Sequence, residues 1–505
     1  MTVTSIPAVR IQVNGSPLSQ EFITLLASVR VQQKLSLPSL CELTFLDPKD
    51  PAALGGAFPA GASLLVTIMG QDEALFDGEV TVIEHVYGPS AQVELRVRGY
   101  DKLHRLRKRQ SLKTFQRVTL ADLARGLTSD AGFDVQVEGD DPTTPFLIQH
   151  GQSDFDLLRY TAEQRGLYLA ARGSTLLLIS LQGSGTGQEL ALGKNLLEAR
   201  IEISAEATCG SVLAAGWQPL SVEAFRGETS RARVGREIDA HLAAEDAGGE
   251  AMRQLGNRTA PSAEQAEDLA QAELDRRVAH EVTLWGVAEG HPALRPGEPV
   301  TVQRVGTDLS GKYVLTSAVH TIDGERGYLT EISTLPPAPM DRPSGAGMTL
   351  GVVTSVEDPE LLGRVQVSLP ALGDIQSEWM HVLSPAAGKD KGLAMLPDLG
   401  DTVLVLFPLD EPGQGVVLGG LYGQSGVPDS GVVGDRVRRY TLLTQGGQRV
   451  ILDDNKKRIH LEDSNGSVVE LSPDRLLLHA AVDLLVEAPG KKIVIQGQQI
   501  DFRKA

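Results

Sequence analysis

The amino-acid sequence predicts a mainly β protein with duplicated β-barrels that carry helical insertions, a small closed barrel and a C-terminal, intertwined trimeric β-helix. Three observations carry this prediction. Short apolar or alternating runs are separated by many of the 53 glycines and 27 prolines. A proline-rich segment at residues 336–348 divides the chain. Beyond Arg439, short strands recur every eight to ten residues, which is typical of a solenoid.

Composition places the chain among globular proteins. It has 505 residues, 41% hydrophobic and 22% charged, which at about 150 residues per domain suggests about three domains. The net charge of −18 disfavours nucleic acid and anionic lipid as partners. Cys41 and Cys209 lie in separate regions, which predicts neither a disulfide framework nor a CxxC metal site. Because there is no signal-peptide pattern and no long apolar run, we expect assembly in the cytoplasm and no stable membrane association.

The part before the proline-rich segment is predicted to contain two related barrels. Residues 59–85 and 296–320 share one pattern of Pro-Gly, strand, glycine turn, strand and histidine, which we interpret as an internal repeat; a coincidence between two β-meanders is the alternative. Thr119 and Ser153 are predicted to cap two helices, and a third helix is predicted to start near Ser262. The predicted segments are 1–105 (first barrel), 106–190 (helical insertion), 191–335 (second barrel with a helix), 336–348 (linker), 349–430 (small barrel) and 431–505 (β-helix).

The two segments after the linker differ in pattern. Five short strands between Gly351 and Leu418 fit a small closed barrel of the OB type. From Arg439 onward each strand supplies only one or two apolar residues, which is too few for a core in one chain, so we predict that three chains intertwine. The predicted core residues of this β-helix are Val450, Leu452, Ile459, Leu461, Val469, Leu471, Leu476, Leu478, Leu484, Val486, Ile493, Ile495, Ile500 and Phe502.

The small barrel carries a set of motifs in a specific order. Its Asp-Pro and Gly-Asp pairs mark turns, and Arg364 is placed to pair with an acid. With these motifs, the segment resembles the OB domain of VgrG spike proteins and phage baseplate assembly protein V. It departs from that pattern at the loop 409–412. The residues that carry the resemblance are Gly351, Asp358, Pro359, Gly363, Arg364, Val365, Pro370, Trp379, Pro397, Gly400 and Asp401.

The upstream part resembles the phage late control protein D family, which is the tail-hub half of VgrG, through residues 101–115, 145–159 and 311–330. The resemblance implies a homotrimeric, non-enzymatic spike and hub at the centre of a contractile injection baseplate, without a cofactor. Its six barrels would adapt a six-fold tube to a three-fold needle. The implied partners are the inner tube or tube-initiator protein and baseplate proteins at the hub, a PAAR-type tip protein at the needle end, and effectors. The resemblance also implies that the spike belongs to a phage-tail-like particle and is ejected toward or into the target cell on contraction.

Other motifs favour ordinary structural roles. The basic run Lys102–Arg109 could bind an anion, but on an acidic chain we expect an interface or a solvated loop. His460 and His479 lack a second histidine two residues away, so we predict no metal site there. Residues 306–313 resemble a phosphate-binding loop but lack its final Ser or Thr and the following helix, which predicts a β-turn.

Two alternative functions remain at this stage. A trimeric phage tail adhesin that binds surface glycan would need exposed aromatic residues along the β-helix, where Tyr440 and Phe502 are the only aromatics. A spike-associated cell-wall hydrolase would need a catalytic domain between the small barrel and the β-helix. The interval Gly423–Arg438 is too short for one, and we predict no catalytic residues.

Overall fold

The computed structural model describes residues 6–71, 73–89, 92–185, 187–218, 223–243, 251–259, 262–340, 346–408 and 411–503. The chain forms two compact units, Met1–Leu421 and Tyr422–Ala505. Strands contain far more of the described residues than helices do, which confirms the predicted mainly β class, and their arrangement includes the duplicated strand units and the small barrel that the sequence predicts.

The first unit opens with strands that surround a large apolar core. Phe45 and Phe58 lie in this core with their ring centroids 5.6 Å apart. The elements are β1 (Val9–Val13), β2 (Ser16–Pro17), α1 (Gln20–Ile23), β3 (Leu26–Lys34), β4 (Leu40–Leu46), α2 (Pro51–Gly56), β5 (Ser63–Ile68), β6 (Ala74–Tyr87) and β7 (Val93–Tyr100).

A helical insertion with its own core follows. The hydroxyl of Thr119 accepts a hydrogen bond from the backbone N–H of Asp122 at 3.1 Å, and Ser153 does the same for Asp156 at 3.1 Å. Both predicted caps are therefore confirmed. The elements are α3 (His104–Arg107), β8 (Leu112–Val118), α4 (Leu120–Thr128), β9 (Asp134–Val137), β10 (Thr144–His150), α5 (Asp154–Glu163), β11 (Tyr168–Arg172) and β12 (Thr175–Ile179).

The longest of the described helices lies between strands of the second barrel. The helix starts near Ser262, as predicted, and the structure adds that the Ser262 hydroxyl caps it by accepting from the backbone N–H of Gln265 at 3.2 Å. The elements are β13 (Gln188–Ala191), β14 (Leu196–Ile203), β15 (Ser211–Gln218), β16 (Glu223–Thr229), β17 (Met252–Thr259), α6 (Ala263–Glu281), β18 (Val282–Glu289), β19 (Pro299–Gln303), β20 (Gly311–Val314), β21 (Ser317–Asp323) and β22 (Gly327–Ser333).

The small barrel completes the first unit as a six-stranded sheet, one short strand more than predicted. Its core contains Val353, Val365, Val403 and Phe407. Its elements are β23 (Ala346–Ser355), β24 (Gln366–Leu369), β25 (Ile375–Gln376), β26 (His381–Val382), β27 (Thr402–Pro408) and β28 (Val416–Gly420). The second unit contains β29 (Val432–Val433), β30 (Arg436–Val437), β31 (Arg439–Leu443), β32 (Arg449–Asp453), β33 (Arg458–Glu462), β34 (Val468–Leu471) and β35 (Leu476–His479).

Two four-stranded units within the eleven-stranded sheet have the same strand order. The order is β3-β4-β7-β6 in one and β14-β18-β22-β21 in the other. The first strand of each unit has a bulge at the corresponding place, between Leu26 and Ser28 in β3 and between Leu196 and Glu198 in β14. Since a bulge is a specific local feature of pairing, its repetition indicates that the two units are copies of one design.

The register of the closing hairpins repeats as well. His85 pairs with Leu95 across β6 and β7, and His320 pairs with Thr330 across β21 and β22. The two histidines of the sequence pattern therefore lie on corresponding strands, β6 and β21, each opposite the last strand of its hairpin. The predicted internal repeat is confirmed, and coincidence between unrelated meanders is not needed to explain it.

Burial of His320 makes one half of the repeat sensitive to acid. The side chain is fully buried, with the Tyr328 and Thr330 hydroxyls 3.0 Å from its Nδ1, and burial lowers its pKa to about 3. The unfolded chain binds a proton at the ordinary pKa of histidine, whereas the folded chain binds it only near pH 3. The folded state therefore loses stability relative to the unfolded state as the pH falls from that ordinary pKa toward 3. Between pH 6 and pH 4, we expect the native chain to lose about 2 kcal/mol more unfolding free energy than His320→Gln, from urea unfolding curves of both. Equal losses would contradict this assignment.

Candidate functional site

The two repeated units join through direct strand pairing. Strand β21 pairs antiparallel with β3, from Ser317 opposite Lys34 to Asp323 opposite Ser28. This junction links the second unit to the first within one chain. It uses one outer edge of each unit.

The other outer edge of each unit has no ladder partner among the described residues. Strand β14 pairs only with β18, and β6 pairs with β5 only through its first half, Ala74–Glu79. In the repeat, β14 corresponds to β3, and β6 corresponds to β21. The two open edges are therefore equivalent to the two strands that pair at the internal junction. Exposed apolar side chains lie along both edges: Tyr87 is 71% exposed and Ile203 is 42% exposed. Open edges with apolar side chains are typical of strand pairing with another chain.

The small barrel contains a buried ion pair at the turn before β24. The guanidinium of Arg364 donates to both carboxylate oxygens of Asp358, with Nη2–Oδ1 at 2.6 Å and Nε–Oδ2 at 3.0 Å. Their side chains are only 6% and 3% exposed. Asp358 also accepts from the backbone N–H groups of Glu360 and Leu362, and the guanidinium holds the pKa of this carboxyl well below its usual range. The predicted partner of Arg364 is thus Asp358, and the pair fixes the turn before β24.

The glycines of the motif meet steric requirements. A side chain at Gly351 would approach the carbonyl oxygen of Ser368 in the neighbouring strand at 3.2 Å. Gly363 and Gly400 have φ angles of +73° and +86°, a region that favours glycine. Next to Gly400, the carboxylate of Asp401 accepts from the backbone N–H of Asp398 at 2.8 Å and closes the turn before β27.

The remaining motif residues occupy core and surface positions. Val365 lies in the core of the barrel, whereas Pro359 and Pro370 are exposed at turns. Trp379 and Pro397 are half-buried. The motif therefore describes the architecture of the barrel, and its members do not converge on one pocket.

The basic run Lys102–Arg109 forms an interface within the chain. Arg105 forms an ion pair with Glu79 of β6, whose side chain is 11% exposed. Arg109 reaches Asp154 at the start of α5, with 3.1 Å between Nε and Oδ2. The run therefore attaches the helical insertion to the first barrel strands. This agrees with the predicted interface, although the contact lies inside one chain and is not a contact between subunits.

The second unit contains a five-stranded sheet, β31 to β35, with two continuous apolar rows on one face. The first row consists of Leu442, Val450, Leu461, Val469 and Leu478. The second row consists of Tyr440, Leu452, Ile459, Leu471 and Leu476. Both rows stay largely exposed, and no buried apolar cluster of the described residues extends into this unit. The single chain therefore leaves an apolar sheet face uncovered.

The opposite face of this sheet carries charged side chains. Arg458 pairs with Glu470 at 2.9 Å, and Arg449 pairs with Glu462 at 3.4 Å. His460 lies between the two acids, with Nε2 at 3.1 Å from Glu462 and Nδ1 at 3.3 Å from Glu470. This face therefore combines paired charges with scattered apolar residues and has no continuous apolar row. Its apolar residues are Leu443, Ile451, Val468 and Leu477.

The chain beyond His479 differs from the prediction. Strands were expected near residues 484–486, 493–495 and 500–502, but the described residues form no strand there. The strands were predicted for three intertwined chains, and a strand needs a neighbour to exchange backbone hydrogen bonds. They therefore stay a prediction for the assembled trimer. The predicted core residues of this part are 46% to 88% exposed: Leu484, Val486, Ile493, Ile495, Ile500 and Phe502.

The described residues contain neither a cluster of metal-ligating side chains nor a helix that could span a membrane. No group of three or more His, Cys, Asp and Glu side chains in the described part of the chain is placed to hold a metal ion. Within the same residues, none of the helices has both the length and the apolar character needed to cross a membrane.

Comparisons with known proteins agree with this architecture. The family described as the Alg8 N-terminal domain matches residues 3–324, more than half of the chain. The family described as the type VI secretion system/phage-baseplate injector OB domain matches residues 349–422. No curated protein sequence gives a significant match.

Solved structures show the same fold at low sequence identity. The E. coli c3393 protein, described as a type VI secretion component similar to the T4 bacteriophage tail proteins gp27 and gp5, is 14% identical over 81% of this chain and 99% of its own, with a TM-score of 0.54. A chain of the lidded Francisella PdpA-VgrG complex is 10% identical over 93% of this chain and 79% of its own, with a TM-score of 0.55. The chain therefore belongs to the family of the Alg8 N-terminal domain and has the fold of VgrG-like spike proteins.

Proposed function

We propose that three copies of this chain form the spike and hub at the centre of the baseplate of a contractile injection system. In this proposal the repeated β units form a ring against the tube, the OB barrels form a collar and the β-helix forms a needle that punctures the target envelope. The role is structural and involves no catalysis. The proposal assigns residues 1–105, 106–190 and 191–335 to the hub, 349–430 to the collar and 431–505 to the needle, with a linker at 336–348.

The open edges of the two repeated units carry this proposal. Within one chain, β21 pairs with β3. If the same pairing is repeated between chains, the second half of β6 in one chain pairs with β14 in the next. Three chains with two units each then close a ring of six similar units, in which both outer edges of every four-stranded unit are paired. Such a ring would match a six-fold tube. The C-terminal segments of the same three chains would form a three-fold needle.

The repeat also gives the register of the pairing between chains. At the internal junction, Ile322 lies opposite Val29. The corresponding positions in the other copies are Tyr87 and Ala199. Residues directly opposite each other in antiparallel strands have Cα atoms about 4.5–5.5 Å apart, a distance that a disulfide spans. We therefore expect the double variant Tyr87→Cys and Ala199→Cys to form a covalent trimer under mild oxidation, measured by non-reducing electrophoresis.

A variant shifted by two residues provides the matched control. Tyr87→Cys combined with Ile201→Cys places both thiols on the same face, but about 7–8 Å apart, so cross-linking should be weak. Tyr87→Cys alone should give no trimer. Equal cross-linking of both double variants, or none in either, would contradict the proposed ring.

The remaining parts of the proposal follow from the needle and the hub. The hub ring would contact the inner tube or tube-initiator protein and surrounding baseplate proteins, and the needle end would carry a PAAR-type tip protein. Effectors could then travel with the spike, which would assemble in the cytoplasm and leave the particle on contraction. Electron microscopy of the full chain mixed with its tube protein tests the first contact, for which we expect the tube to end on the hub.

A further inference from the structure

A cleft in the first unit, with apolar walls and several polar groups, has no role in the proposed assembly. It lies among β10, helices α5 and α6, and the loop that precedes β28, and its volume is about 160 Å³. Phe146, Leu147 and Leu269 form its apolar walls. A cavity of about 150 Å³ is large enough for benzene, so this cleft can hold a planar group of similar size with part of an aliphatic stem.

The cleft contains negative charge that the protein leaves unpaired. The carboxylates of Asp268 and Glu378 line it, and neither forms an ion pair or a side-chain hydrogen bond with the described residues. Burial raises the pKa of the Asp268 carboxyl, which indicates that its negative charge is poorly solvated. Arg165 also lines the cleft, but its guanidinium forms an ion pair with Asp141, with 2.6 Å between Nη1 and Oδ1. A bound cation would offset this uncompensated charge.

Two glutamine side chains add unsatisfied polar atoms to the same cleft. The Gln414 Oε1 acceptor and the Gln164 Nε2 donor are both buried and lack a hydrogen-bond partner among the described residues. Buried polar groups without partners are uncommon in native structures and each needs an explanation. An acceptor beside carboxylates suits a group with several N–H donors, and the free donor suits a carbonyl oxygen.

From these features we infer that the cleft binds an arginine side chain of a partner polypeptide. The guanidinium pairs with Asp268 and Glu378 and donates to Gln414, while its stem packs against Phe146. Gln164 donates to a backbone carbonyl of the same segment. An arginine fits better than a lysine because its planar group carries five N–H donors and can satisfy several acceptors in one plane. This inference does not depend on the ring or on the needle.

Titration of the full chain with acetyl-arginine amide tests the inference. By calorimetry we expect saturable binding with a Kd near 1 mM or below. Acetyl-citrulline amide has nearly the same shape without the charge and should bind at least tenfold more weakly. Asp268→Asn should weaken binding of the arginine probe at least tenfold. Saturable binding that is equal for both probes, or no saturable binding, would overturn the inference.

A neighbouring acid on α6 provides the control for general charge attraction. Glu267 is exposed and outside the cleft, so Glu267→Gln removes the same charge and should leave the Kd unchanged. A loss equal to that of Asp268→Asn would show attraction to the acidic surface and overturn the inference. Light scattering on the same samples reports the oligomeric state, so a failure of the cleft and a failure of the proposed trimer give different results.

Discussion

Replacing Leu461 by aspartate is expected to dissociate the proposed trimer, whereas the same change at Leu443 should leave it intact. The two leucines are 40% and 41% exposed in the single chain, but they lie on opposite faces of the β31–β35 sheet. Leu461 lies in an apolar row that the proposed trimer buries, and burying a leucine contributes about 2 kcal/mol per chain. The aspartate would in addition bury an unpaired charge in each of three chains.

Light scattering coupled to size exclusion measures this difference. The native chain and Leu443→Asp are expected at three times the chain mass of 53.9 kDa, and Leu461→Asp at a lower mass at micromolar concentration. A chain that ends at Leu421, where the first compact unit ends, should also associate more weakly. A monomeric native chain, or equal behaviour of the two aspartate variants, would remove the basis for an intertwined needle.

Arg364→Ala is expected to destabilise the small barrel by about 3 kcal/mol or more. Removing one partner of a buried ion pair leaves the other charge buried without compensation, and such changes typically cost about 3–5 kcal/mol. In this chain, Asp358 would keep its backbone donors but lose its only guanidinium. Hydrogen exchange followed by mass spectrometry should show about a hundredfold loss of protection in β24, because 1.4 kcal/mol corresponds to a factor of ten.

An exposed ion pair of the same chemistry provides the control. Arg125 contacts Asp122 at 3.1 Å, and both side chains are more than half exposed, at 58% and 57%. Because exposed pairs contribute about 0–1 kcal/mol, Arg125→Ala should change protection in α4 by less than a few-fold. If Arg364→Ala changed the exchange protection of β24 by less than a few-fold as well, the Asp358–Arg364 pair would not be needed to fix the turn before β24.

Local signals in the sequence predicted much of the fold. Thr119, Ser153 and Ser262 cap helices because a hydroxyl at that position satisfies a backbone N–H, and this requirement depends on a few neighbouring residues only. The glycines of the small barrel were similarly predictable, since their backbone angles exclude most other residues. The pairing of Arg364 with an acid was also expected, although its partner was known only from the structure.

Features that depend on distant pairing were harder to predict. The sheet of β15, β16 and β17 against α6 was missed, because these strands have weak alternation and β17 lies about 40 residues after β15, with which it pairs. The repeated bulge at Leu26 and Leu196 leaves no signal in composition. It became visible only when the hydrogen-bond registers of the two units were compared. The edges proposed as interfaces could not be seen without those registers.

The candidate site shows the same division. The apolar rows of the needle were predicted from alternation, since every second side chain lies on one face. The missing strands near Leu484 and Ile493 were predicted from the same alternation, but a pattern cannot tell whether the neighbouring strand belongs to the same chain. The unpaired acids of the cleft, Asp268 and Glu378, are far apart in sequence and carried no motif.

The uncovered apolar face of the second unit has a consequence for the order of folding during synthesis. The ribosome releases this segment after the first unit, which has had time to fold. A needle segment that has not yet associated with two others would then expose its apolar sheet face, which favours aggregation with other chains in the cell. If the folded hubs associate first, they hold three such segments at millimolar effective concentration, and closure becomes fast and selective. The hub would then act as a template that sets the alignment of its own needle.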